Sequence, residues 1–154
     1  MSERSVEHAT FVVERWYEAS PERAFAAWAD REAKARWFVD SDAYLELDFR
    51  VGGRESSQGT APDGNTYTYE AIYQDIVSAQ RIVYTYEMLL DGVRISVSLA
   101  TAEFEPERDG TRLVFTEQGA FLDGYEMPAR REQGMGSLLD SLGQWLQSSR
   151  SDGG

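Results

Sequence analysis

The fold is decided by a hairpin at residues 81–99, which read RIVYTYEMLLDGVRISVSL. Asp91 and Gly92 are a strong two-residue turn signal, because both residue types tolerate a positive φ, and this turn pairs Leu90 with Val93. Apolar and polar residues alternate on both sides of the turn, which is the pattern of a half-buried strand. An uninterrupted ladder puts these apolar residues on one inner face: Tyr84, Tyr86, Met88, Ile95, Val97 and Leu99.

Further strands flank the hairpin, because runs of β-branched and aromatic residues alternate with turn residues along much of the chain. Besides Arg81–Leu89 and Val93–Glu105, the predicted strands are Thr10–Glu18, Ala43–Phe49, Arg54–Gly59 (weak or at an edge), Thr66–Val77 and Thr111–Phe121. Two registers stay open at Pro106–Gly110: Glu105 pairs with Thr111, or the pairing shifts by one residue. In Thr66–Val77, the inner face holds either Tyr67, Tyr69 and Tyr73, which we favour, or Ile72 and Ile76.

Helices are predicted at three places. Ser20 and Pro21 indicate an N-cap and a first helical residue, and Asp30 can cap a second short helix. A long helix near the C-terminus carries an apolar stripe at helical spacing: Met135, Leu138, Leu139, Leu142, Trp145 and Leu146. The segment Asp123–Glu126 resembles a capping box in front of it.

Three glycines interrupt this last helix and lower its propensity: Gly134, Gly136 and Gly143. Either another group approaches the helix closely at these positions, or the glycines lie on an exposed face. Both interpretations stay open.

The element order, β-α-α-β-β-β-β-β-β-α, predicts an α+β fold in which a curved antiparallel sheet wraps around the long C-terminal helix. A single helix is too narrow to cover such a sheet, so the uncovered part is either filled by large side chains or left as a cavity. We expect an internal cavity. We expect one domain over residues 8–148, with frayed ends at residues 1–7 and 149–154.

The composition excludes several classes of function. The chain of 154 residues carries a formal charge of −12, which disfavours binding to nucleic acids and to anionic membranes. It has no cysteine, and His8 is its one histidine, so thiolate or multi-histidine metal sites and a Ser-His-acid triad are excluded. We expect no cofactor and no metal. Without a long apolar segment or a signal-like N-terminus, we expect a cytoplasmic protein and no membrane insertion. We expect a monomer or a homodimer.

Several motifs together carry a family resemblance: Arg15–Pro21 running into Trp28, Trp37-Phe38, Gly52–Arg54, Arg81–Tyr86, Gly110–Leu113 and Thr116–Phe121. Their order resembles the START-like, or SRPBCC, superfamily with its helix-grip fold. Within it, the chain resembles the branch related to the C-terminal domain of the heat-shock-chaperone ATPase activator. One departure is Met135, which stands where that family usually places Trp after Gly134 and which could reshape the cavity.

The resemblance implies a hydrophobic cavity between helix and sheet, but it does not imply one activity. Members of the superfamily bind lipids, hormones or polyketides, and some cyclise polyketides or act on chaperones. We therefore weigh a non-enzymatic binder of a small hydrophobic or aromatic ligand against a polyketide cyclase-like enzyme and against a protein that acts on a chaperone.

Glu117 is the strongest candidate for a catalytic or ligand-orienting residue. A carboxylate on an apolar face could orient a ligand hydroxyl, or act as a base if burial raises its pKa. It could instead form an ion pair with an inward arginine, or face solvent in the other register. The predicted ligand-binding set is Tyr84, Tyr86, Met88, Val97, Leu99, Phe115, Glu117, Phe121, Met135 and Leu139. The expected rim of the cavity is formed by Phe121, Tyr125, Met135 and Leu139.

Other conspicuous residues have simpler interpretations. Trp28 and Trp37 are expected in the core. Arg15 either pairs with Glu117 or a ligand anion, or lies exposed at a sheet edge. The acidic run from Asp40 to Asp48 lacks the spacing of a calcium loop and is expected to be a solvated face.

Overall fold

A computed structural model of the chain describes residues 4–39 and 44–149. In chain order its elements are β1 (Val6–Tyr17), α1 (Pro21–Ala29), α2 (Arg31–Trp37), β2 (Tyr44–Leu47), β3 (Arg54–Thr60), β4 (Thr66–Val77), β5 (Arg81–Leu90), β6 (Val93–Glu107), β7 (Gly110–Leu122) and α3 (Pro128–Ser149). The strands form one antiparallel sheet in the order β1-β7-β6-β5-β4-β3-β2. The predicted α+β class and element order are confirmed.

The starts of the short helices follow their local sequence. Ser20 Oγ accepts a hydrogen bond from the Arg23 N–H at 3.1 Å, and Asp30 accepts one from the Ala33 N–H at 3.0 Å. These caps satisfy amide groups that have no partner inside the helix. The predicted caps of α1 and α2 are therefore confirmed.

The start of α3 differs from the prediction. The helix begins at Pro128, five residues after Asp123, which has a positive φ of 55°. The Asp123 carboxylate accepts from the Ser5 N–H and from Arg4, so it holds the start of the chain instead of capping the helix. The capping-box prediction was wrong, because the segment turns back towards β1 before α3 starts.

The central hairpin contains a β-bulge. Leu90 pairs with Val93 as predicted, but Leu89 then pairs with Arg94 and Met88 with Ser96, so Ile95 is an extra residue. An extra residue reverses which side chains face inward beyond it. Directly beyond the bulge, the inward residues of β6 are therefore Ser96, Ser98 and Ala100, which are buried. Ile95 itself is also buried and lines the cavity described below.

This bulge reverses the predicted facing of two residues. Val97 and Leu99 lie on the outer face of the sheet, where their exposed fractions are 44% and 38%. They pair with Glu87 and Thr85, which were correctly expected to face away from the core. Both residues were wrongly placed on the inner face.

The structure resolves the register of the β6–β7 hairpin and the inner face of β4, for which the sequence left two alternatives each. Glu107 pairs with Gly110 and Glu105 with Arg112, so the β6–β7 hairpin adopts the register shifted by one residue. In β4, Tyr69 and Tyr73 are buried and Tyr67 is half-buried, which confirms the favoured face. A second bulge after Tyr73 then also brings Ile76 against the core.

The apolar stripe of α3 packs on the concave face of the sheet, and Met135, Leu139, Leu142 and Leu146 are buried as predicted. At one end, α1 and α2 close the core with Trp28 and Trp37, whose ring centroids lie 5.0 Å apart. Both tryptophans are core residues, as predicted.

Both interpretations of the α3 glycines apply, at different positions. A Cβ on Gly143 would lie 3.1 Å from the Tyr17 ring, and one on Gly136 would lie 3.1 Å from the Arg15 guanidinium. A Cβ on Gly134 would meet no atom within 4 Å. Close approach from β1 thus explains Gly136 and Gly143, whereas Gly134 is exposed.

Parts of the predicted frayed ends are ordered. Val6 and Glu7 pair with β7, so β1 begins four residues before the predicted Thr10, and α3 continues to Ser149. Residues 1–3 and 150–154 lie outside the described residues, and so do Ala43, Asp40 and Asp42 of the acidic run. The remaining acids of that run, Glu46 and Asp48, are exposed as expected.

Candidate functional site

A cavity of about 750 Å³ lies between the first half of α3 and the concave face of β4 and β5. The sheet side of the cavity is aromatic and is formed by Tyr67, Tyr69, Tyr84 and Tyr86. Met135 and Leu138 of α3 form the opposite wall. Exposed residues at the mouth include Pro62, Asp63 and Tyr125.

Apart from Val97 and Leu99 on the outer face, the predicted ligand-binding residues divide into two groups. Tyr84, Tyr86, Met88 and Met135 line the cavity, together with Tyr125 at its rim. Four others are buried but are not part of the cavity wall: Phe115, Glu117, Phe121 and Leu139. Their role in binding, like that of the lining residues, stays a prediction.

Arg131 is the central polar residue of the cavity wall, and the sequence analysis did not single it out. Its Nε donates to Glu126 Oε2 and its Nη2 to Glu126 Oε1, both at 2.7 Å. Nη1 donates to the Tyr86 hydroxyl at 2.8 Å, and Nη2 also donates to Ser96 Oγ at 2.9 Å. Its guanidinium also lies 5.1 Å from the Phe121 ring. A signal was present, since Arg131 precedes Met135 by four residues and so shares its helix face.

Glu117 lies behind Tyr86. Its Oε2 accepts from the Tyr86 hydroxyl at 2.6 Å and from Ser98 Oγ at 2.7 Å, and Arg131 Nη1 is 3.4 Å away. Its Oε1 has no hydrogen-bond partner among residues 4–39 and 44–149. Burial raises the pKa of Glu117, against the opposing effect of the hydrogen bonds and of Arg131. The pair with an inward arginine was one of the predicted alternatives, and Arg131 supplies that arginine.

Arg15 does not reach this cluster. Its Nε donates to Asp140 on α3 at 2.7 Å, and its Nη2 to the Gly136 carbonyl at 3.4 Å. The first predicted alternative for Arg15, a pair with Glu117, is therefore wrong. Arg15 joins the edge strand β1 to α3 instead.

A second buried polar cluster lies next to the cavity and was also missed. Lys34 of α2 and Glu55 of β3 are fully buried, and Lys34 Nζ lies 2.6 Å from Glu55 Oε1. The Tyr73 hydroxyl donates to the same oxygen. Lys34 Nζ also lies 4.4 Å from the ring of Phe38, which lines the cavity. Burial lowers the pKa of Lys34, while burial and Glu55 raise that of Tyr73.

Two signals could have drawn attention to this pair. Lys34 is the one lysine of the chain, and it lies three residues before the buried Trp37 on the same face of α2. Glu55 gave a weaker signal, because β3 is polar along most of its length and was expected to be a weak or edge strand. The strand β3 lies between β2 and β4 instead.

Chemically, the cavity offers aromatic surface, hydroxyl groups and one guanidinium–carboxylate pair. No cluster of His, Cys, Asp or Glu in the described part of the chain could hold a metal ion. None of the described helices combines the length and the apolar character needed to span a membrane.

The sheet that wraps a long C-terminal helix, with a cavity between them, defines a protein of the START-like, helix-grip class. The family described as "Activator of Hsp90 ATPase homolog 1-like protein" matches residues 18–147. The chain belongs to this family.

Solved structures agree with this assignment. A protein of Rhizobium leguminosarum is 46% identical, with a TM-score of 0.90 and coverage of 96% of this chain and 99% of that one. Mll3558 of Rhizobium loti is also 46% identical, with a TM-score of 0.87 over 92% of this chain and 99% of that one. CV1439 of Chromobacterium violaceum is 25% identical, with a TM-score of 0.77 over 89% and 96%. No curated protein matches the chain.

Proposed function

We propose that the protein binds a small, mostly apolar or aromatic molecule in the cavity under α3, without catalysing a reaction. The observation that carries this proposal is the cavity itself. Its volume of about 750 Å³ falls within the roughly 300–1,000 Å³ of known small-molecule sites. Such sites combine apolar walls with a few polar groups that orient the ligand, and this cavity has both.

The aromatic wall supports a flat or ring-containing ligand. Tyr69 and Tyr86 lie with ring centroids 5.0 Å apart, and Tyr84 and Tyr86 lie 5.9 Å apart. Tyrosines offer an apolar ring with a polar tip, so they can pack against an aromatic molecule and hydrogen bond at its edge. Met135 supports the same proposal, because the larger Trp that the family usually carries there would occupy part of the space.

The experiment fills the cavity without removing any polar group. N-phenyl-1-naphthylamine, a neutral dye that brightens in apolar surroundings, reports binding to the wild type and to Met135→Trp. We expect saturable binding to the wild type and a loss of affinity of about tenfold or more in Met135→Trp, because overlap with the new ring must be relieved. Thermal denaturation checks that the variant folds.

Ser141→Trp is the matched control, because Ser141 lies exposed on the same helix and away from the cavity. It should leave dye binding unchanged. A wild type that does not bind the dye, or equal binding by Met135→Trp, would contradict the proposal.

A second candidate is a polyketide cyclase-like enzyme, and the hydrogen bond between Tyr86 and Glu117 favours it. In that case Tyr86 would contact the substrate. Glu117 does not line the cavity, so it would act through Tyr86 by accepting the hydrogen bond of the Tyr86 hydroxyl. Glu117→Gln should then abolish cyclisation of a linear polyketide while the protein stays folded. A wild type that cyclises no such substrate speaks for the binder.

The family description suggests a third candidate, a partner role with the ninety-kilodalton heat-shock chaperone. Its test is the ATPase rate of that chaperone with and without this protein. No stimulation would reject this candidate and leave the proposal of a ligand in the cavity untouched.

A further inference from the structure

The ion pair of Arg131 and Glu126 faces the cavity. Two parallel hydrogen bonds of 2.7 Å join the guanidinium to both carboxylate oxygens. Both residues line the cavity, and their side chains are 10% and 19% exposed. This fork is the geometry in which an arginine binds a carboxylate most strongly and selectively.

The two partners are held very differently. Arg131 is held from the sheet side, because it also donates to Tyr86 and Ser96 and lies over the Phe121 ring. Glu126, by contrast, makes side-chain hydrogen bonds within the described residues to Arg131 alone. It lies in the segment between Leu122, where β7 ends, and Pro128, where α3 begins.

The backbone beside Glu126 is hydrogen bonded, because the Tyr125 N–H donates to the Leu122 carbonyl and the Met127 carbonyl accepts from the Arg130 N–H. The side chains beside Glu126 pack little, since Tyr125 and Met127 are 49% and 70% exposed. Moving Glu126 off Arg131 therefore disturbs little packing. The guanidinium would stay in place with two N–H groups directed at the vacated position.

We infer that Glu126 occupies the place of a ligand carboxylate, and that the cavity binds an aromatic or apolar carboxylic acid whose carboxylate displaces Glu126 and forms the same fork with Arg131. This inference rests on the proposed function and adds the chemical class of the ligand. The ring of the ligand would lie against the tyrosines of β4 and β5. Its carboxylate would lie at the N-terminal turn of α3.

Two electrostatic effects bear on this inference. The chain carries a net charge of −12, which repels an anion at a distance, but at physiological ionic strength such repulsion is screened beyond about 8 Å. Close to the site, the two short-range hydrogen bonds from Arg131 determine the affinity for a carboxylate. The resident Glu126 competes for the same hydrogen bonds, so it lowers the apparent affinity for a carboxylate by the fraction of time that Arg131 is free.

The test compares two probes that differ in charge and share one ring system, 2-naphthoate and 2-naphthamide. Isothermal titration gives their affinities for the wild type, for Glu126→Gln and for Glu126→Ala. Removing the competing carboxylate should raise the affinity for 2-naphthoate about tenfold or more, as expected for hydrogen bonds to a charged group. The affinity for 2-naphthamide should change less than about twofold, because an amide gains no ion pair with Arg131.

Glu132→Gln is the matched control. Glu132 is an exposed carboxylate next to Arg131 in sequence, and it does not line the cavity. Its removal changes the net charge by the same amount, so the naphthoate-to-naphthamide ratio should stay at the wild-type value. Thermal denaturation shows that each variant is folded.

A measurement on the wild type alone provides an independent check. Binding of 2-naphthoate should shift the backbone amide resonances of Glu126 and Met127 clearly more than binding of 2-naphthamide does, because only the carboxylate displaces Glu126 from Arg131. Unshifted resonances with 2-naphthoate, or an unchanged or weaker naphthoate affinity in both Glu126 variants, would overturn the inference. If N-phenyl-1-naphthylamine still binds in that case, the proposed function stands. If no probe binds any variant, both fail.

Discussion

Breaking the buried pair of Lys34 and Glu55 is expected to destabilise the protein strongly. Both side chains are 0% exposed, and 2.6 Å separates Lys34 Nζ from Glu55 Oε1. Lys34→Met removes the cation and leaves the Glu55 carboxylate with the Tyr73 hydroxyl as its remaining partner. Glu55→Gln is the reverse change, which leaves a buried ammonium without its counter-charge.

The magnitude follows from the geometry. At an effective dielectric constant of about 20, two unit charges at 2.6 Å attract by about 6 kcal/mol. Burial of both charges offsets much of this attraction, and removal of one partner of such a pair costs about 3–5 kcal/mol. For a chain of this size we expect Tm to fall by roughly 6–20 °C. The double variant should cost clearly less than the sum of the single variants, because no unpaired charge remains buried.

The assay is urea unfolding of the wild type, both single variants and the double variant, followed by tryptophan fluorescence. Arg94→Met is the control, since it breaks a surface pair whose side chains are 53% and 28% exposed and should change stability little. A loss of unfolding free energy in Lys34→Met no greater than that in Arg94→Met would contradict this expectation. Simple addition of the effects of the Lys34 and Glu55 variants in the double variant would contradict it too.

Two further predictions concern Glu117 and the glycines of α3. Because the pKa of Glu117 is raised above its ordinary value of 4.5, the folded protein holds this proton more tightly than the unfolded chain does. The stability that this proton contributes is complete below about pH 4.5 and is lost as the pH rises through the folded-state pKa. Urea unfolding across that range should therefore show wild-type stability declining relative to Glu117→Gln, and a constant difference would contradict this. Gly134→Ala should stabilise the protein by about 1 kcal/mol, because the position is open and helical. Gly143→Ala should gain less or lose stability, since its Cβ would lie 3.1 Å from the Tyr17 ring; equal gains would contradict the close contact.

Much of the fold could be predicted because it depends on short-range patterns. The turn at Asp91-Gly92, the cap at Ser20 and the apolar stripe of α3 each involve residues a few positions apart, and all were confirmed. Alternation in β4 left two possible inner faces, of which the favoured tyrosine face is the buried one. These patterns act through backbone geometry and helical or strand periodicity, which a single sequence displays directly.

The candidate site could be predicted only in part. Tyr84, Tyr86, Met88 and Met135 line the cavity as expected, but Val97 and Leu99 lie on the other side of the sheet. Their placement was wrong because one extra residue, Ile95, reverses the alternation of β6. Nothing in the local sequence marks this bulge, since Arg94 and Ile95 fit a regular strand equally well.

Short-range patterns in the amino-acid sequence were enough to predict the elements, their order and the family. The pairing of buried charges depends on the tertiary structure, which brings Arg131 to Glu126 and Glu117 and Lys34 to Glu55. Lys34 and Glu55 lie on different elements, 21 residues apart in the chain. Propensity and periodicity act over a few residues, whereas a buried ion pair requires two separate elements to be positioned within a fraction of an ångström of each other.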